Sequence, residues 1–227
     1  MMKQKRYILL VLIYVYAVVL ALPAASQEIV TAQEFLAKVS DVYASVYDYA
    51  ASLRITKGDV VQTGLLMYSN RNLLKIEFSN PAGQVLLVDG EKLSVYIPKY
   101  RTILEQRYSS SGAGVATAKG LTLLQDNYMV SYAVKGTVPL DEGSGTMVTK
   151  LMLTPYSGSS EGFKEIVLYI DANYLIRRVE GTTVQLEKVI FDFYGIRLNV
   201  GIPLTRFDFD PPAMTNVYPD FLYDTLE

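Results

Sequence analysis

From Tyr47 onward the chain alternates. Leu74, Ile76 and Phe78 are separated by Lys75 and Glu77, and Tyr128, Val130, Tyr132 and Val134 by Met129, Ser131, Ala133 and Lys135. Successive side chains of a strand point to opposite faces, so each set marks one side of a half-buried strand. Ile166, Leu168 and Ile170 continue the pattern up to Asp171-Ala-Asn173, a turn sequence that leads into 175–180. About eleven such runs, parted by turn signals, predict a mainly β fold built as an antiparallel meander.

One stretch departs from simple alternation. Residues 85–88 and 93–97 read as two strands of a hairpin joined by Asp89, Gly90, Glu91 and Lys92. The first strand is four aliphatic residues in a row, which sends Val85 and Leu87 to one face and Leu86 and Val88 to the other. Neither face of that strand suits water. It is covered on both sides by protein, or on one side by something that is not protein.

Two segments carry the helical period instead. Thr31-Ala-Gln-Glu34 is a capping-box pattern, followed by Phe35, Leu36, Val39, Val42, Tyr43 and Val46 at helical spacing, which predicts a helix over about 32–46 packed on the sheet. The flexible run Ser109-Ser-Ser-Gly-Ala-Gly114 opens a second helix, over 115–125, with Val115, Ala118, Leu121 and Leu124 as its apolar side. Gly- and Ser-rich loops at 139–146 and 155–162 interrupt the strands, without a repeat or linker that would mark a second domain. Residues 27–227 are expected to form a single domain.

The amino terminus has a different character. Lys3, Lys5 and Arg6 precede an apolar run from Ile8 to Leu22, and the small residues Ala24-Ala25-Ser26 follow. This is the layout of an export signal, so residues 1–26 are expected to be cleaved and the mature protein to be exported and soluble. With no cysteine in the sequence, a lipid cannot be attached at a mature amino-terminal Cys.

Composition narrows the chemistry. The chain has 21 basic and 23 acidic residues and a net charge of −2, which gives no polycationic surface for nucleic acid. It has neither histidine nor cysteine, so Ser-His-Asp and Cys-His pairs and the usual zinc, iron and copper ligand sets are missing. No metal or other cofactor is expected, and no catalytic residue is assigned. Asp208 and Asp210 lie two apart on an expected carboxy-terminal strand, but no accompanying constellation makes them a catalytic pair. Gly112-Ala-Gly114 before a helix lacks the third glycine of a dinucleotide fingerprint, Thr117 standing there, and reads as a hinge. The 18 tyrosines are spread over strands, where they serve β structure and can also line a site for a ligand with a polar head.

Several of these stretches together resemble a known family. Gly64-Leu-Leu-Met-Tyr, Asn72-Leu-Leu-Lys-Ile, Asn80-Pro, Leu87-Val-Asp-Gly90 and Val95-Tyr-Ile-Pro98 are similar, in order and spacing, to strands of the LolA-like periplasmic lipoprotein carriers. Leu153-Thr-Pro155, Ile170-Asp-Ala-Asn, Arg178-Val-Glu180 and Phe207-Asp-Phe-Asp-Pro-Pro212 resemble the family's later strands, so the likeness runs from about Ala32 to Pro212. It implies an incomplete, strongly curved antiparallel β-barrel with helices covering the open mouth. It also implies a chaperone that holds the acyl chains of lipoproteins in a hydrophobic cavity, receives them from an inner-membrane ABC transporter and passes them to an outer-membrane acceptor where one exists.

On that resemblance the cavity is expected to be lined by Leu74, Ile76, Phe78, Val85, Leu87 and Val95. Phe35, Leu36 and Val39 of the first helix and Leu121 and Leu124 of the second are expected to close it. The family often places an arginine beside a proline at the strand end corresponding to Asn70-Arg71, where it helps hold the lid; here Asn70 takes that position and Arg71 follows, a candidate latch shifted by one residue. A monomer is expected. Two other readings stay open: a periplasmic lipid-binding or sensor module of the same architecture, although stress-sensing relatives usually add a second domain, and an enzyme working through carboxylates or tyrosine.

Overall fold

The structure is a computed structural model that describes residues 30–90, 92–107, 118–156 and 163–221. The expected signal segment, the Gly112-Ala-Gly114 run and the 157–162 loop lie outside the described residues.

The capping box at the first helix forms as the sequence predicts. Thr31 Oγ1 accepts from the Glu34 N–H at 3.2 Å and Glu34 Oε2 accepts from the Thr31 N–H at 2.7 Å, which starts α1 (Ala32–Ala44). Then follow β1 (Asp48–Lys57), β2 (Val60–Ser69), β3 (Leu73–Asn80), β4 (Val85–Asp89), β5 (Lys92–Ile97) and β6 (Thr102–Arg107). After α2 (Ala118–Asn127) come β7 (Tyr128–Pro139), β8 (Met147–Pro155), β9 (Phe163–Asp171), β10 (Ile176–Thr183), β11 (Lys188–Leu198) and β12 (Asn216–Tyr218).

All the described strands join one sheet, in the order β12-β6-β5-β4-β3-β2-β1-β11-β10-β9-β8-β7. It is curved and unclosed, an incomplete barrel with β12 and β7 at its two edges. The described strands number twelve rather than about eleven, because Asn216–Tyr218 adds a short strand parallel to β6. Three residues beyond Pro211-Pro212 carry no alternation long enough to mark a strand.

Glycine permits close packing at two places in the sheet. A Cβ on Gly64 would lie 2.6 Å from the backbone oxygen of Glu77, beside the register shift between Thr63 and Gly64. A Cβ on Gly181 would run into the Phe163 ring, which lies over it. Strand glycines of this kind mark bends and close approaches, which a curved sheet needs.

The inner face of the sheet and the outer face of β1 to β6 are covered by different means. On the inner face, the one on which the helices pack, Leu36 and Val39 of α1 and Leu121 and Leu124 of α2 join Leu151, Leu153, Leu168, Ile170, Ile176 and Val179 in the main core. On the outer face the chain after β11 acts as a strap. It starts at Asp48, whose carboxylate accepts the N–H groups of Val200, Gly201 and Ile202 at 2.8 to 3.2 Å.

Farther along, Ile202 and Phe207 pack on Ala50 and Met67, and the buried Lys75 donates from Nζ to the carbonyls of Arg206 (3.1 Å) and Asp208 (2.9 Å). Lys75 also pairs with Glu77 at 3.1 Å. Phe209 then packs on Val85, Tyr96 and Ile103, and Asn216–Tyr218 pairs with β6. Asp208 and Asp210 are therefore exposed residues of this irregular strap and not of a strand, which corrects the expectation for that segment.

Because Asp48 gathers three backbone donors with one carboxylate, Asp48→Ala is expected to lower unfolding stability by about 2–4 kcal/mol. Urea denaturation followed by far-UV circular dichroism measures this; a loss below about 0.5 kcal/mol would show that the strap holds without that carboxylate.

Candidate functional site

Strand register decides which side chains share the inner face. In the β3–β4 hairpin Leu74 stands opposite Val88 and Ile76 opposite Leu86. Two rows follow across the sheet: Ala51-Leu66-Ile76-Leu86-Val95-Leu104 and, one step along the strands, Tyr49-Tyr68-Leu74-Val88-Leu93-Gln106. Phe78 lies beside Gly64 and Leu53 in a third. None of these positions carries a formal charge.

Of the expected lining residues, Leu74, Ile76, Phe78 and Val95 share this face. Val85 and Leu87 do not. They stand opposite Glu77 and Lys75 on the outer face, where Val85 lies under Phe209 of the strap. The turn over 81–84 sets a register in which even-numbered residues of β3 meet even-numbered residues of β4, and a shift of one residue reverses the face. Leu86, Val88, Leu93 and Leu104 take the inner positions instead, and counting the turn was the signal that could have found them.

Cover over this face is uneven. In the β8–β10 half, Leu151, Leu153, Ile166, Leu168 and Ile170 are no more than 2% exposed. In the other half Leu74, Leu86, Val88, Leu93, Val95 and Leu104 are only half-buried. With strands about 4.8 Å apart, the uncharged strip from β2 to β6 spans about 19 Å. It offers dispersion and apolar burial, and among the described residues no group of three or more acidic, His or Cys side chains could hold a metal ion.

The expected lid residues are part of the main core, which reaches both halves. Leu36, Val39, Leu121 and Leu124 lie in one core cluster with Ile76 and Phe78, and Phe35 packs against it. Four contacts tie the start and the C-terminal turn of α1 to the β7–β10 side: Phe35 meets the rings of Tyr132 (6.2 Å) and Tyr174 (5.4 Å), the Tyr132 hydroxyl donates to the Thr31 carbonyl at 3.4 Å, and the Tyr43 hydroxyl accepts from the buried Ile176 N–H at 3.1 Å. Arg71 is exposed in the β2–β3 turn and forms no ion pair with the described residues. Nothing there links it to α1 or α2 as a latch.

Comparison with known proteins matches residues 54–210 to the family described as "Outer membrane lipoprotein carrier protein LolA". The chain belongs to the LolA family. No curated protein matches it. In fold, this LolA-family chain is similar to an uncharacterized conserved protein from Thermus thermophilus, at 14% identity over 83% of this chain and 98% of that one, with a TM-score of 0.56. It is also similar to a chain of the Pseudomonas aeruginosa MucA/MucB complex, at 10% identity over 79% of this chain and 61% of that one, with a TM-score of 0.51. At such identities the likeness is one of fold. Among the described residues of the LolA-family chain, no helix is long and apolar enough to cross a membrane.

The tyrosines of the packed half set a pH limit on it. Burial pushes the Tyr43 hydroxyl up to about 12 and holds Tyr49 well above the ordinary value. Only the neutral phenol fits these sites, so this stabilisation is complete below about pH 10 and is lost as pH rises toward 12, by up to about 1.4 kcal/mol per pH unit for each tyrosine. Urea midpoints between pH 8 and 11.5 should fall, and Tyr43→Phe should fall less steeply while starting about 1–3 kcal/mol lower through loss of the acceptor for Ile176. Parallel slopes for the two proteins would show that Tyr43 ionises without cost to the fold.

Proposed function

We propose that this protein is a periplasmic carrier that holds the acyl chains of lipoproteins against the inner face of β3 to β6. The observation that carries this reading is the uncharged, half-buried apolar strip beside a fully packed half. In this proposal Leu74, Ile76, Phe78 and Val95, together with Leu86 and Leu104, contact the chains, and Phe35, Leu36, Val39, Leu121 and Leu124 form the wall that bounds them. The family description supports lipoproteins as the cargo. An inner-membrane ABC transporter supplies them, an outer-membrane acceptor takes them where one exists, and export with cleavage of residues 1–26 brings the carrier to its compartment.

The physical demand is large. Burial is worth about 0.8 kcal/mol per CH₂, so a chain of roughly sixteen carbons in water costs on the order of 10 kcal/mol, and a lipoprotein carries more than one. A soluble apolar strip offsets that cost while the cargo crosses water. The carrier needs no covalent chemistry for this.

Native mass spectrometry of protein released gently from the periplasm without detergent tests the reading. A mass increment from a triacylated peptide or lipoprotein is expected. A phospholipid or glycolipid in its place would move the protein to a lipid-binding or sensor role, and a clean ligand-free species would remove the support for carriage.

Site assignment is tested separately. Leu86→Glu and Val95→Glu place a charge on half-buried positions, so each is expected to fold and to lose lipopeptide binding at least tenfold. Ile76 is 7% exposed and belongs to the core, so Ile76→Glu is expected to lose stability as well as binding. Unchanged lipopeptide affinity in folded Leu86→Glu and Val95→Glu would place the site elsewhere.

A further inference from the structure

Three tyrosine rings form a chain from α1 to the open half. Tyr43 meets Tyr49 with ring centroids 6.2 Å apart, and Tyr49 meets Tyr68 at 5.1 Å. The first two belong to the dry core: the Tyr43 hydroxyl is bonded to Ile176, and Tyr49 is 2% exposed. Tyr68 differs. It is half-buried, and its hydroxyl bonds to none of the described residues and is not sealed from solvent.

Its surroundings make that hydroxyl unusual. Across the sheet on the same face stand Leu74, Val88 and Leu93, all apolar and half-buried. Water is then the partner of the hydroxyl while the strip is empty. An acyl chain laid along the strip displaces that water, and a donor left unsatisfied would weaken binding. A ligand that brings its own acceptor to this point avoids the penalty, and phenylalanine would have avoided it without any acceptor. Desolvation alone raises the Tyr68 pKa, so the phenol is a neutral donor at physiological pH.

We infer that Tyr68 donates a hydrogen bond to the ester carbonyl at the head of a bound acyl chain and so fixes which end of the chain lies near the β2–β3 turn. The inference rests on the carrier reading and adds a specificity-determining residue to it. Tyr68 stands opposite Leu74, one pair from the Ser69–Leu73 end of the hairpin. The head of the chain is placed there, and the tail runs past the row of Leu86, Val95 and Leu104.

The test uses two synthetic lipopeptides that differ only in linkage: one with two palmitoyl groups esterified to the glyceryl unit, the other with the same chains attached as ethers, which lack the carbonyls. Wild-type protein and Tyr68→Phe are titrated with each, and thermal melts confirm that the variant, which keeps the ring and its contact with Tyr49, is folded. Wild type is expected to bind the ester form about three- to tenfold more tightly than the ether form, and Tyr68→Phe to lose that preference while binding the ether form at least as tightly as wild type does, because it has no donor to leave unsatisfied. Equal losses for both probes would reduce Tyr68 to a packing residue and overturn the proposal, as would an unchanged preference for the ester. If wild type binds both probes equally, the proposal fails while carriage stands; if it binds neither, carriage fails and the proposal with it.

Discussion

A wide sheet with apolar side chains on both faces must be covered on both, and this constraint organises the whole molecule. Helices alone do not meet it. They pack on the inner face, while the outer face of β1 to β6 is closed by the strap that follows β11. Before it pairs with β6 the strap is largely irregular, so most of its backbone polar groups there have no ladder to join, and an uncompensated polar group in such a place is costly. Two buried charges answer this need. Asp48 accepts from three successive N–H groups where the strap begins, and Lys75 donates to two carbonyls midway. Each ion is surrounded by hydrogen-bonding partners that the strap supplies, which is the condition under which a buried charge is tolerated.

The consecutive aliphatic residues of β4 follow from the same constraint. Val85 faces out, beneath Phe209, while Leu86 and Val88 face in. Both of the covers that such a strand calls for are therefore on one molecule: protein on the outside, and a half-open strip on the inside. The Arg178-Val-Glu180 stretch divides in a similar way. Val179 joins the inner core, whereas Arg178 pairs outside with Asp141 and Asp192, and Glu180 with Tyr169 and Lys188. Alternation along one strand thus separates a dry interior from an ionic exterior over a single residue step.

How much of this could be read from the chain depended on the range of the interaction involved. The capping box at Thr31 and Glu34, the β4–β5 hairpin and the Asp171 turn are local, and local residue types specify them. Turn length also sets register: the turn over 81–84 puts Leu86 and Val88, and not Val85 and Leu87, on the face of Ile76. The strap was out of reach for a different reason. Nothing near Ile202, Phe207 or Phe209 in the sequence signals that they cross strands more than a hundred residues away, and Lys75 reads as an ordinary solvent-facing residue of an alternating strand. Arg71 lies in an exposed turn, and among the described residues it forms no ion pair that would tie it to α1 or α2.

If the protein carries acyl chains as proposed, it must also let them go, and the uneven cover of the inner face bears on this. On the order of 10 kcal/mol for one fully buried chain corresponds to a Kd of roughly tens of nanomolar before ordering costs, and several chains would bind tightly enough to hinder delivery. Leu74, Leu86, Val88, Leu93, Val95 and Leu104 of the β2–β6 strip are half-buried, so a chain resting on them is shielded on one side by protein and gains only part of that energy from the strip itself. Meanwhile α1 is tied to β7, the β9–β10 turn and β10 through Phe35, Tyr43 and the Thr31 carbonyl. On the proposed carrier reading, loading and unloading then engage the main core only at its edge, through Ile76 and Phe78. The stable half supplies the fold, and the less covered half, where local opening is cheapest, is free to exchange ligand.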